Sequence, residues 1–261
     1  MGSVGSNDEK AIREFMLHIA TCHTIVIDKN TGAFNSASPD ELALVEGVRE
    51  RGYVFQGKDR NNCLTVKTPD GYMMKYELLN VLEFNSTRKR MSVIVKDMQT
   101  YEIVLLTKGA DSIIEKLLVK GDKTNDRNLN ITKTYLDSYA NEGLRTLLLA
   151  KKTISQREYD RWNEEFNQAS NTMVNRDEKM DEVSAKIEQD MILVGSTAIE
   201  DKLQEDVAET IIAMKETGIK VWVLTGDKVE TAVNIGYSTG LLNNEMNQYY
   251  VDGTLVGEIT H

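Results

Sequence analysis

Met91-Ser92-Val93-Ile94-Val95-Lys96-Asp97-Met98-Gln99-Thr100-Tyr101-Glu102-Ile103-Val104-Leu105-Leu106 holds two apolar, β-branched runs on either side of a polar turn. That pattern predicts an antiparallel hairpin, residues 91–95 against 101–106 with the turn at 96–100. Working outward, residues 52–109 keep the alternation and break it only at turn chemistry, at 59–62 and at Thr68-Pro69-Asp70-Gly71. An antiparallel sheet follows. Beyond Lys108-Gly109-Ala110, Asp111 can cap a helix with Ile113, Ile114, Leu117 and Leu118 facing inward. A second helix closes at Gly143, and residues 144–151 return to strand. Upstream, residues 9–22 predict a helix with Ile12, Phe15, Met16 and Ile19 on one face, followed by a short strand at 25–27. Ser38-Pro39-Asp40-Glu41 then opens another helix as a capping box, with Leu44, Val45 and Val48 buried.

Ser155-Gln156-Arg157-Glu158 repeats that cap, and Tyr159, Trp162, Phe166 and Ala169 follow as a core-facing stripe. Residues 171–189 are polar and read as a solvated helix or a long connection. From Met191 the grammar changes. Residues 191–196 read as a buried strand and 202–217 as a helix, with Leu203, Val207, Ile211 and Met214 on one side, ended by Gly218. Val221-Trp222-Val223-Leu224 reads as a second buried strand, with a helix over 228–240 behind it. Strand, helix, strand, helix is the order of a parallel sheet. The expected division is therefore an α+β domain over 9–193, an antiparallel sheet flanked by helices, and part of an α/β domain over 194–261. Residues 1–8 are expected to be disordered or left by cloning, the Met1-Gly2 start also fitting a myristoylation pattern. Unpaired strand edges after Leu193 would leave that tail disordered or swapped between chains.

The 261 residues carry 31 Lys and Arg against 41 Asp and Glu, a net charge of −10, which argues against a nucleic-acid partner. Two cysteines, Cys22 and Cys63, make no disulfide scaffold and suit a reducing compartment. His18, Cys22 and His23 lie close together but read as packing residues in a helix rather than zinc ligands. The apolar runs are far shorter than the ~20 residues a membrane-spanning helix needs, so the chain is expected to be soluble. Patterns for a Walker A loop, a dinucleotide-binding glycine turn and a hydrolase elbow are all missing.

Two segments carry chemistry. Thr225-Gly226-Asp227 follows an expected strand end, where a glycine turn and a helix N-terminus can meet a phosphate; a tight turn with an Asp cap is the alternative. Phe84-Asn85-Ser86-Thr87-Arg88-Lys89-Arg90-Met91-Ser92 places an aromatic before three consecutive cations in an acidic chain. Such a cluster suits an anionic ligand with a flat ring; a core phenylalanine beside a solvated loop is the alternative.

In chain order, Ser38 to Glu41, Phe84 to Ser92, Lys108-Gly109-Ala110-Asp111, Gly143-Leu144-Arg145-Thr146-Leu147, Thr197 to Gln204 and Val221 to Glu230 resemble the cytosolic nucleotide-binding domain of P-type ATPases. The segments Thr197-Ala198-Ile199-Glu200-Asp201-Lys202-Leu203-Gln204 and Trp222 to Lys228 are similar to the phospholipid-flippase subfamily. The resemblance implies that ATP or ADP is the ligand. Phe84 would stack on adenine, with Ser86, Lys89 and Met91 around the same pocket. Lys108 and Gly109 would close over the adenine and phosphate side, and Arg145 would contact phosphates. Glu41 would reach the adenine edge, although a capping-box glutamate can instead bond its own helix. Thr225, Gly226 and Asp227 would meet the terminal phosphate and ribose on domain closure, with residues 201–204 as one hinge strand. Residues 194–261 would be a partial haloacid-dehalogenase-like phosphorylation domain.

The family's phosphorylated aspartate lies in D-K-T-G-T, which does not occur here. Ile27-Asp28-Lys29-Asn30-Thr31-Gly32 carries an inserted Asn, so Asp28 is expected to be a loop residue. The resemblance thus implies a fragment with no catalytic residue and no metal ligand of its own. Mg²⁺, the actuator, the remaining phosphorylation and transmembrane domains, and an accessory membrane subunit would belong to the parent at the cytosolic face of a membrane. Two rivals are a haloacid-dehalogenase-type phosphatase and a catalytically silent nucleotide sensor or interaction module.

Overall fold

The computed structural model describes residues 4–28, 30–200, 204–225 and 229–251. It divides into two compact units: residues 1–139 with 145–199, and residues 140–144 with 200–261.

The first unit is built on one seven-stranded antiparallel sheet in which every strand pairs with the next in the chain. Its strands are β3 (Val54–Lys58), β4 (Cys63–Lys67), β5 (Met73–Leu82), β6 (Arg90–Asp97), β7 (Ile103–Gly109), β8 (Arg145–Ile154) and β9 (Ile192–Ile199). A separate two-stranded ribbon joins β1 (Val26–Ile27) to β2 (Phe34–Asn35). The expected hairpin is present as β6 and β7, in register from Arg90↔Gly109 to Lys96↔Ile103. Both strands are buried on both faces because helices cover the sheet on each side. Met91, Val93, Val95 and Leu106 pack in one core with Ile19 of α1 (Val4–Thr21) and Val45 and Val48 of α2 (Pro39–Glu50). Ile94, Leu105 and Leu148 pack in the other. That second core takes in Ile114 of α3 (Asp111–Leu117), Leu136 of α4 (Lys123–Asn141), Trp162 and Ala169 of α5 (Gln156–Ser170) and Val183 and Ile187 of α6 (Arg176–Ile187).

Local chemistry explains the helix ends. The Ser38 and Ser155 hydroxyls accept from the amides of Glu41 and Glu158, as capping serines do. Gly143 takes φ +75°, the left-handed turn expected behind α4. Asp111 does not cap: Ala110 holds that position and Asp111 accepts from the amide of Ser112.

Four expectations are corrected. The boundary at 193/194 falls inside β9, which pairs with β8 from Ile192 to Ile199, so the first unit runs through Ile199. The strand expected to open a parallel sheet is thus the last strand of the antiparallel one. Helix α1 begins at Val4, within the residues expected to be disordered. The polar stretch 171–189 does hold a helix, but not a solvated one, since α6 buries Val183, Ser184 and Ile187. Val221 to Leu224 form no strand, and Trp222 and Leu224 are 84% and 97% exposed. The second unit holds α7 (Val207–Glu216) and α8 (Val229–Ser238) among its described residues. Lys215 ties them by donating to the carbonyls of Gly240 and Leu241.

His18, Cys22 and His23 are packing residues. His23 donates through Nε2 to the Ala20 carbonyl and accepts the Ile25 amide at Nδ1, while the Cys22 thiol points to the Leu106 carbonyl. Burial, reinforced by the positive charge of Lys108, lowers His18 to about 3 and His23 to about 4. Both stay neutral in the folded chain while the unfolded chain takes up protons near pH 6.5, so stability falls as pH drops through 6.5 toward 4. Urea unfolding at pH 7.5 and 5.5 should differ by about 2–3 kcal/mol in the direction of lower stability at pH 5.5. His18→Leu should roughly halve that difference, and an unchanged difference would clear His18 of the effect.

Candidate functional site

The sheet register gathers the expected residues of the first unit at one end. Phe84 lies two residues past β5 in the loop to β6, Lys108 and Gly109 end β7, and Arg145 starts β8. Met91 and Lys108 are cross-strand partners, as are Lys108 and Leu149. The N-terminus of α2 is fastened to the same end by two ion pairs, Glu41 to Lys108 at 2.7 Å and Asp40 to Arg145 at 3.1 Å.

Phe84 is 64% exposed, so the core-phenylalanine reading does not hold. Phe84 helps line an open cleft of about 500 Å³ with Asn85, Arg88, Phe166, Met180 and Asp181. Ser86 and Lys89 are exposed beside it, and Lys89 takes the left-handed conformation at φ +50°. Met91, by contrast, is buried at 3% in the core beneath α1 and α2. A larger apolar cleft of about 810 Å³ lies along β1 and β3 to β5 and includes none of the expected residues.

The cationic run is not the solvated wall its sequence suggested. Only Lys89 faces outward. Arg88 and Arg90 are buried and share the fully buried Glu188, at 2.5 Å and 2.7 Å. Ser92 also donates to Glu188, and it is within 2.8 Å of the Thr107 hydroxyl.

Glu41 does not bond its own helix through its carboxylate, the alternative weighed for it. Its amide is capped by Ser38, but its carboxylate accepts from Lys108 at one oxygen and from the Thr24 amide and hydroxyl at the other. Burial alone would raise its pKa; the adjacent ammonium and the two Thr24 donors outweigh burial and hold it below the ordinary glutamate range. Glu41 therefore orients Lys108, which is itself only 8% exposed.

Gly109 is required by close approach. A Cβ there would lie 2.6 Å from the Arg90 Cβ and 2.8 Å from the Lys89 carbonyl oxygen, which accepts the Ala110 amide. Asp28 is exposed in a loop, where its carboxylate accepts the amides of Asn30 and Thr31.

Thr225 is exposed in the second unit; Gly226 and Asp227 lie outside the described residues, as do Asp201 to Leu203 of the expected hinge. Sequence reasoning missed Thr24, Asp40 and Glu188. Asp40 sits beside Glu41 in the helix cap and was within reach of a charge-pairing argument. Thr24 and Glu188 carried no local signal.

A family model described as the P-type ATPase cytoplasmic domain N matches residues 11–206, and the chain belongs to that family. It is similar to three phospholipid-transporting ATPases: DNF1 of Chaetomium thermophilum, 45% identical over 252 residues, DRS2 of Saccharomyces cerevisiae, 46% over 243, and IC of Homo sapiens, 43% over 249. These matches cover 94%, 92% and 95% of the chain but 16%, 18% and 19% of the respective relatives.

Proposed function

We propose that this chain is the ATP-binding part of a phospholipid-translocating P-type ATPase at the cytosolic face of a membrane. It holds ATP there while the γ-phosphate passes to an aspartate outside the chain, with Mg²⁺ also bound outside it. The observation that carries the reading is an exposed phenylalanine at the sheet end that also bears Lys89, Lys108 and Arg145. Phe84 stacks on adenine, Lys89 and Lys108 face the negative charge, and a phosphate competes with Asp40 for Arg145. Thr225, Gly226 and Asp227 approach the terminal phosphate from the phosphorylation domain. No helix among the described residues is long and apolar enough to cross a membrane, so the membrane-spanning part belongs to the parent.

A base stack contributes ~1–3 kcal/mol and a hydrogen bond to a charged group ~1.5–3 kcal/mol. Association costs consume most of that sum, leaving weak binding suited to release in every cycle. In a titration of ADP into the chain followed by chemical shifts, Phe84→Ala should weaken binding by about 10-fold or more, the loss of one stack. Binding unchanged in the variant removes the stacking role. The chain alone should form no acid-stable phosphoenzyme from ATP.

A further inference from the structure

We propose that α6 is a positioning clamp for the aromatic loop, with Asp181 and Glu188 as residues that set nucleotide affinity without touching the nucleotide. The inference rests on the nucleotide reading and extends it to two carboxylates on the sheet face opposite Met91 and Lys108, where Asp181 also borders the cleft beside Phe84. Met91 and Lys108 project to the face covered by α1 and α2. Glu188 meets Ser92, one residue along β6, whose cross-strand partner Thr107 lies in the same way one residue along β7. Successive strand residues point to opposite faces, so Glu188 stands behind the loop rather than in front of it.

The grip has two points. Asp181 accepts from the Asn85 side-chain amide at both oxygens, at 2.9 Å and 3.1 Å, which fixes which way that amide faces, and it lies 3.9 Å from Arg88 Nε. The Asn85 oxygen is thereby turned to accept the Arg88 amide at 2.7 Å, and the Asn85 carbonyl accepts the Lys89 amide at 2.9 Å. These bonds fold residues 85–89 into the turn that ends with Lys89 left-handed and outward. Glu188 provides the second point by holding the guanidiniums on both sides of Lys89, while Arg88 also donates to the Glu83 carbonyl at 2.8 Å. Phe84 sits between Glu83 and Asn85, so both of its neighbours are tied down and its ring is held in the open. A stacking surface fixed before the ligand arrives avoids the cost of ordering it on binding.

With Arg88 and Arg90 paired internally to Glu188, and Asp181 beside Arg88, a single outward cation is left in the run. Opening the clamp would free the chain on both sides of Phe84 and release the amides of Arg88 and Lys89.

The test uses the whole chain, with ADP as probe, and two readouts on each variant: ADP affinity of the folded fraction, and hydrogen exchange at the amides of Arg88, Lys89 and Ala110. Asp181→Ala removes the partly exposed grip and should fold; it is expected to weaken ADP about 10-fold, the equivalent of one charge-assisted hydrogen bond, and to speed exchange at the three amides. D181E should recover most of both. Glu188→Gln should weaken ADP at least as much, read on whatever fraction folds. Leu136→Ala, a core truncation in α4 away from the loop, should lower stability yet leave the affinity of folded molecules and the three amides unchanged. Wild-type affinity and exchange in Asp181→Ala, or equal losses in Leu136→Ala, would overturn the clamp. Wild-type chain that shows no ADP response overturns the nucleotide reading and the affinity half of this inference, while the exchange readout still decides whether the loop is clamped.

Discussion

Lys108→Met is expected to lower the stability of the chain by about 3–5 kcal/mol, the cost of leaving one member of a buried ion pair alone. Glu41 is only 8% exposed, and two Thr24 donors cannot neutralise it. Once the ammonium is gone, burial dominates and the Glu41 carboxyl shifts above its ordinary range. A carboxyl with a raised folded pKa gains stability as pH falls, since the folded state then binds the extra proton. The two buried histidines change in the same sense, because Lys108 is the second cause of their lowered values. The deficit against wild type should therefore shrink between pH 7 and pH 5 in urea unfolding. Glu41→Gln added to Lys108→Met should recover part of the loss, because a neutral amide can still accept from Thr24. A deficit that ignores both pH and the second substitution would show that Lys108 acts through packing alone. ADP binding should be lost in the single variant whatever the pH.

Gly109→Ala is also expected to destabilise the chain, although it adds only one methyl group. The new carbon would meet Arg90 Cβ at 2.6 Å, Arg90 Cα at 2.9 Å and the Lys89 carbonyl oxygen at 2.8 Å, and two of these three are backbone atoms that cannot swing aside. Overpacking of this kind costs about 1–3 kcal/mol, and relief requires parting β6 from β7 at Arg90↔Gly109. That motion stretches the bond from Ala110 to Lys89 and displaces Lys89 from its outward position. Calorimetry should show a lowered midpoint, and ADP affinity should fall in the same variant. A substitution such as Gly71→Ala, where a Cβ meets nothing but the residue holds φ +87°, offers a comparison for turn strain without collision. Equal behaviour of the two would argue that collision with β6 is unimportant.

The hairpin at β6 and β7 was legible because β-branched runs around a polar turn have few other solutions. Its pairing extends further than expected, to Arg90↔Gly109, since charged Arg90 is drawn inward by Glu188. That pairing could not be read locally: the two residues stand 98 positions apart, in segments that each look like ordinary solvated chain. Phe84 was ambiguous for the opposite reason, because an aromatic beside a strand is equally at home inside or outside a core. Val221 to Leu224 misled, as four apolar residues read as a buried strand only if neighbours exist to pair with them. No strand pairs with them among the described residues. The strand at β9 was found but assigned to the wrong sheet, because an isolated apolar run does not reveal the direction of its partner.

The seven-stranded sheet connects only successive strands, and its longest excursions are the helices inserted before β8 and β9. During synthesis, each strand leaving the ribosome finds its partner already waiting, and loop closure stays inexpensive at every step. The last two strands join the beginning of the unit to its end, α1 and α2 packing against β9 while Arg145 and Lys151 of β8 pair with Asp40 and Glu14. Assembly of this unit can run ahead of the residues that follow Ile199, leaving little unpaired strand edge for aggregation in the meantime.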